Sequence, residues 1–89
     1  MTKAMWKFDV DVSFKTVISM PKDAKILCVQ IQHGTPCIWA IVNPNNGTED
    51  REFTVKGTGH SFDDSGKEYI GTFQLSAGDF VGHLFEVKS

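Results

Sequence analysis

Apolar and polar residues alternate along much of the chain with a period of two, and no long window carries the 3.6-residue repeat of an amphipathic helix. The cleanest alternation sets Trp6, Phe8, Val10, Val12 and Phe14 against Lys7, Asp9, Asp11 and Ser13. That pattern predicts a strand with one face buried and one face wet. A second strand is predicted over Thr16 to Met20, ending at Pro21, whose fixed φ and missing N–H stop a ladder. Pro21-Lys22-Asp23 then reads as a turn.

The strongest signal is a central hairpin from Lys25 to Asn43. Two strand-like runs, Lys25 to Gln32 and Cys37 to Asn43, flank the turn-rich His33-Gly34-Thr35-Pro36. Centring the loop on Gly34 and Thr35 puts Gln32 opposite Cys37. Leu27 then faces Val42, Val29 faces Ala40 and Ile31 faces Ile38, an apolar set that belongs to a core. On the other face Ile26 meets Asn43, Cys28 meets Ile41, and Gln30 meets Trp39. This second face is amphipathic, and it reads equally as a ligand surface, a second buried layer or a subunit contact.

Asn43-Pro44-Asn45-Asn46-Gly47 reads as a loop continuing through Glu49 and Asp50, and Glu52 to Gly57 as a short strand with Phe53 and Val55 inward. Residues 61–67 are polar and acidic apart from Phe62, which suits a surface loop or a single helical turn. Tyr69 to Leu75 and Phe80 to Val87 predict a second hairpin across Ser76-Ala77-Gly78-Asp79. The expectation is an all-β domain over residues 1–89: a compact antiparallel sandwich or partly open barrel of six to seven strands, with at most a short helical turn.

Composition narrows the function. Eighty-nine residues suffice for one core. A net charge of −2 and a pI near 5.8 argue against a general nucleic-acid binder, which needs a basic face. The first residues lack an apolar run of secretory length, and no stretch approaches the ~20 apolar residues of a membrane span, so cytoplasm is the expected location. Cys28 and Cys37 sit in strand-like runs without an export signal and read as reduced thiols. No metal-ligand spacing or cofactor motif is visible.

Three histidines, His33, His60 and His83, each adjoin a glycine. His33 falls at a hairpin tip and His83 in the last strand. His60 follows Gly57-Thr58-Gly59, a loop whose amides suit close approach to an anion. No nucleophile elbow or metalloprotease helix accompanies them, and Asp63 and Asp64 lie in a solvated acidic stretch, so no catalytic residue is assigned. The candidate ligand-binding residues are Gln30, Gln32, Trp39, Thr58, His60 and Tyr69, which combine a flat ring with amides and hydroxyls.

The string MPKDAKILCVQIQHGTPCIWAIVNP, followed by GTGH and YIGTFQ and closing in VGHLFE, resembles a family of small, functionally uncharacterised bacteriophage and prophage proteins. The resemblance spans roughly residues 5 to 87. It implies a phage protein acting in the cytoplasm of the host bacterium, and proteins of that kind commonly inhibit host antiviral defence stoichiometrically. One mode is a homo-oligomeric sponge that sequesters a nucleotide-derived immune signal through Trp39, Gln30, Thr58 and His60. The other is direct inhibition of a host defence protein, as an anti-CRISPR does, through the hairpin face or a strand edge. In either mode no enzymatic activity, cofactor or metal is expected.

Overall fold

The computed structural model describes residues 2–12 and 15–88. Seven strands run in chain order: β1 (Ala4–Asp9), β2 (Thr16–Pro21), β3 (Lys25–Gln32), β4 (Thr35–Val42), β5 (Thr48–Gly57), β6 (Lys67–Leu75) and β7 (Phe80–Val87). They form two antiparallel sheets, one of order β1-β4-β3 and one of order β2-β5-β7-β6, packed as a compact sandwich. This is the all-β sandwich the alternation implies, with open sheet edges rather than a closed barrel. The only helical turn among the described residues is a 3₁₀ turn over Ser76–Gly78 in the last hairpin, while residues 61–66 form the loop before β6.

The core lies between the sheets. Val29, Ile38, Ala40 and Val42 come from the three-stranded sheet, and Met20, Phe53, Phe73 and Leu84 from the four-stranded one. On β4 the core residues Ile38, Ala40 and Val42 fall at alternate positions, as a strand with one buried face requires.

The hairpin register departs from the expectation by two residues. Gln32 pairs with Thr35, Ile31 with Pro36, Gln30 with Cys37 and Val29 with Ile38. The loop is therefore His33-Gly34, with φ of 52° and 78°, the two positive values a type I′ turn needs. Pro36 reads as a loop residue in the sequence, yet it sits within β4. Its carbonyl accepts the Val10 N–H at 2.9 Å, so its main chain faces β1 and its missing N–H leaves the β3–β4 ladder intact. A shift of two preserves the faces, so the core assignment of Val29, Ala40 and Val42 stands. Leu27 is the exception. A bulge between Ile26 and Cys28 turns Ile26 toward the core opposite Ala40 and leaves Leu27 40% exposed.

Two strand ends also differ. β1 stops at Asp9: Val10 still donates to the Pro36 carbonyl, but Pro36 has no N–H to give in return, so the reciprocal ladder ends there. Phe14, the last apolar position of the predicted first strand, lies outside the described residues. β5 begins at Thr48, so Glu49 and Asp50 are strand residues paired with Met20 and Ser19.

Candidate functional site

The outward face of the four-stranded sheet carries the most convincing constellation. Strand register places Lys56 of β5 beside His83 of β7, and His83 beside Thr72 of β6; Phe85 stands next to Tyr69 on the same face. The loop leaving β5 then folds back across these strands. It lays the Phe62 ring on Phe85 with centroids 5.1 Å apart, while Tyr69 meets Phe85 edge-on at 5.6 Å. Both arrangements lie in the tilted and T-shaped range that aromatic quadrupoles favour. Lys56 Nζ lies 5.9 Å from the Phe62 centroid, within cation–π reach.

Between these rings and the Gly57–His60 turn is a cleft of about 300 Å³, lined by Lys56, Thr58, His60, Phe62, Tyr69, His83 and Phe85 among others. That volume is at the lower end for a small-molecule pocket, enough for one flat ring system rather than a large ligand. Phe62 and Tyr69 are both exposed, an uncommon state for two large rings on one face of a small domain.

The His83 imidazole is held from both sides. Thr58 Oγ1 lies 2.7 Å from Nε2 and Thr72 Oγ1 lies 2.9 Å from Nδ1; Thr72 in turn shares a 2.5 Å hydrogen bond with the Tyr69 hydroxyl. Hydroxyls both donate and accept, so this chain accommodates either imidazole tautomer while fixing the ring plane. A hydroxyl 2.7 Å from an imidazole has the spacing of a nucleophile–base pair. The orienting partner, however, is a neutral hydroxyl relay and not the carboxylate that stabilises an imidazolium in acyl transfer. The arrangement is built to present a fixed polar edge beneath an aromatic wall.

The structure divides the residues singled out from sequence. Thr58, His60 and Tyr69 come together in this cleft. Gln30, Gln32 and Trp39 lie on the outward face of the other sheet, on the opposite side of the sandwich. Trp39 pairs with Cys28 and Lys7 and not with Gln30, and Gln32 is engaged by Lys7, whose Nζ donates to Oε1 at 2.6 Å. Beneath this bridge Cys37 is buried, and its thiol donates to Asp9 Oδ1 at 3.4 Å. Burial, reinforced by the hydrogen bond and charge of Asp9, pushes the Cys37 thiol up from its ordinary value. Neither cysteine is in a disulfide.

Two of the amides that the anion-nest reading of Gly57-Thr58-Gly59-His60 would use are taken within the protein. The Thr58 N–H donates to Val81 O at 3.3 Å and the His60 N–H closes the turn on Gly57 O at 3.2 Å, so both amides are already used. What the loop supplies is the Thr58 hydroxyl and the His60 ring. Lys56, Phe62, His83 and Phe85 also line the cleft, and sequence reasoning did not select them. Among the described residues no group of three or more His, Cys, Asp and Glu side chains is placed to hold a metal ion, and no helix is long and apolar enough to cross a membrane.

Comparison with known proteins places the whole chain in one family. The family described as "Domain of unknown function (DUF7352)" matches residues 1–89. No curated protein and no solved structure matches.

Proposed function

We propose that this chain, which belongs to the DUF7352 family, is a non-enzymatic ligand-binding protein whose aromatic cleft sequesters a planar, negatively charged small molecule of the nucleotide class. The observation that carries this reading is the gathering of Phe62, Tyr69 and Phe85 around a doubly anchored His83, with Lys56 at the margin. A nucleobase would stack on the aromatic walls and hydrogen-bond to the hydroxyls that hold His83 in place, and the ammonium of Lys56 at the cleft margin supplies a cation for an attached phosphate. Together with the resemblance to phage proteins, this supports a counter-defence role in the host bacterium: stoichiometric capture of a nucleotide-derived immune signal.

Calorimetric titration of the purified protein with cyclic dinucleotides, cyclic mononucleotides and cyclic ADP-ribose isomers tests the proposal. Saturable binding of one class, with the ligand recovered chemically intact after denaturing the protein, is the expected result. An altered ligand indicates an enzyme, and no binding across the panel removes the reading.

A second reading, direct inhibition of a host defence protein, is favoured by a separate observation. The outward side of the three-stranded sheet carries the half-buried Trp39 beside Met5, which is 65% exposed. Such a ring at a sheet surface suits a protein contact.

A further inference from the structure

β1 has a strand partner on one side only among the described residues. Its ladder to β4 fixes which main-chain groups are used. Val10 donates to Pro36, and the antiparallel register continues through Phe8↔Ile38 and Trp6↔Ala40, so the even-numbered residues direct their N–H and C=O groups toward β4. Met5, Lys7 and Asp9 therefore direct theirs toward the open edge. An open edge of this kind is a template for another strand.

We infer that β1 pairs antiparallel with β1 of a second copy, joining the two three-stranded sheets into one six-stranded sheet about a twofold axis. The side chains select this occupant and its register. Residues whose main chain faces the open edge must meet one another, which limits the pairing to an even sum of residue numbers. Placing Lys7 opposite Lys7 of the second copy, or Asp9 opposite Asp9, sets like charges together. Placing Lys7 opposite Asp9 satisfies both copies at once, since twofold symmetry repeats the pair. That register also sets the partly buried Phe8 of each copy opposite that of the other. The strand is thus complementary to itself in charge and in apolar content. This inference is independent of the ligand reading, because the aromatic cleft lies on the other sheet.

Charge reversal tests it. Sedimentation equilibrium of the wild type is expected to show a dimer. K7D and D9K each set two like-charge pairs across the axis and should weaken dimerisation about tenfold or more. The double variant K7D/D9K should recover it, because the acidic and basic side chains have then only exchanged places and opposite charges face each other again. Recovery has no source within one chain, where the double change still loses the Lys7–Gln32 and Asp9–Cys37 bonds. In the wild type, amide exchange at Lys7 and Asp9 should slow as protein concentration rises, while exchange at Phe8, bonded to β4, stays constant. A wild-type monomer, a dimer indifferent to the single reversals, a double variant as weak as the singles, or concentration-independent exchange at Lys7 and Asp9 would each overturn the inference.

Discussion

Arg51 of β5 grips Glu86 of β7 through two parallel hydrogen bonds, 2.6 Å from Nε to Oε2 and 2.9 Å from Nη2 to Oε1, at one end of the sandwich. The third guanidinium nitrogen, Nη1, donates to the Ala24 carbonyl at 2.6 Å and so ties the turn between β2 and β3 to the pair. Glu86 is 4% exposed although it is charged, and such a group is tolerated only where its partner is fixed. Burial by itself raises the Glu86 carboxyl, but the hydrogen bonds and charge of Arg51, with help from Lys88, outweigh it and hold it below the usual carboxylate range.

Removing one partner leaves the other charge buried and alone. R51A is expected to lose about 3–5 kcal/mol of stability, a large share of what a small domain has, whereas the paired apolar replacement R51M/E86L should come within about 1–2 kcal/mol of wild type or exceed it. Urea denaturation of the three proteins gives the comparison.

The same pair sets a pH dependence. Because the folded Glu86 has a lower pKa than the unfolded residue, the unfolded state binds more protons in the interval between the two, and stability there rises with pH. The contribution is complete above the unfolded value of about 4.3 and is lost as pH falls through the lower folded value. Denaturation midpoints measured from neutral pH downward should therefore drop below about pH 4 in the wild type, with a shallower fall in E86Q.

Gly71 lets β6 approach β3 at the junction of the two sheets. A Cβ at this position would come within 2.8 Å of Val29 Cγ1, a branched side chain with little freedom to move. G71A is expected to destabilise by about 1–3 kcal/mol through overpacking. Shortening the neighbour in G71A/V29A should return part of that loss, so a double-mutant cycle by thermal denaturation would show coupling between the two sites.

The two faces of the sandwich separate the two groups of candidate residues. F62A removes one wall of the cleft from an exposed position, so it should leave thermal stability within about 0.5 kcal/mol of wild type while weakening nucleotide binding by about 1–3 kcal/mol. W39A, on the opposite face, should leave that affinity unchanged. Calorimetry on both variants checks the pair.

Much of the fold was legible because burial on one side of a strand imposes alternation, which the central and closing hairpins carry, while Pro21 marks the turn at Lys22-Asp23. The hairpin register was not legible. Pro36 looks like a strand terminator, and only the presence of β1 along β4 shows that its missing N–H falls outside the hairpin ladder. The bulge at Leu27 had no marker, since Ile26 and Leu27 are equally apolar and either one suits the core. Of the cleft residues, Thr58, His60 and Tyr69 were singled out by residue type, but which neighbours they meet depended on pairing. Counting back from the Ser76–Asp79 loop puts Thr72 opposite His83, a juxtaposition that register reasoning on the second hairpin exposes. Phe62 carried a signal of its own as the one large apolar residue in an acidic loop. Its landing place on Phe85 depends on a loop path that no periodicity records.

The most direct test is where a ligand lands. In a titration of isotope-labelled protein with the nucleotide panel, followed by amide and aromatic NMR shifts, the expected changes centre on Phe62, Tyr69, His83 and Phe85, with Trp39 and Gln30 unmoved. Shifts centred on Trp39, or a spectrum indifferent to every nucleotide, would contradict sequestration in the aromatic cleft.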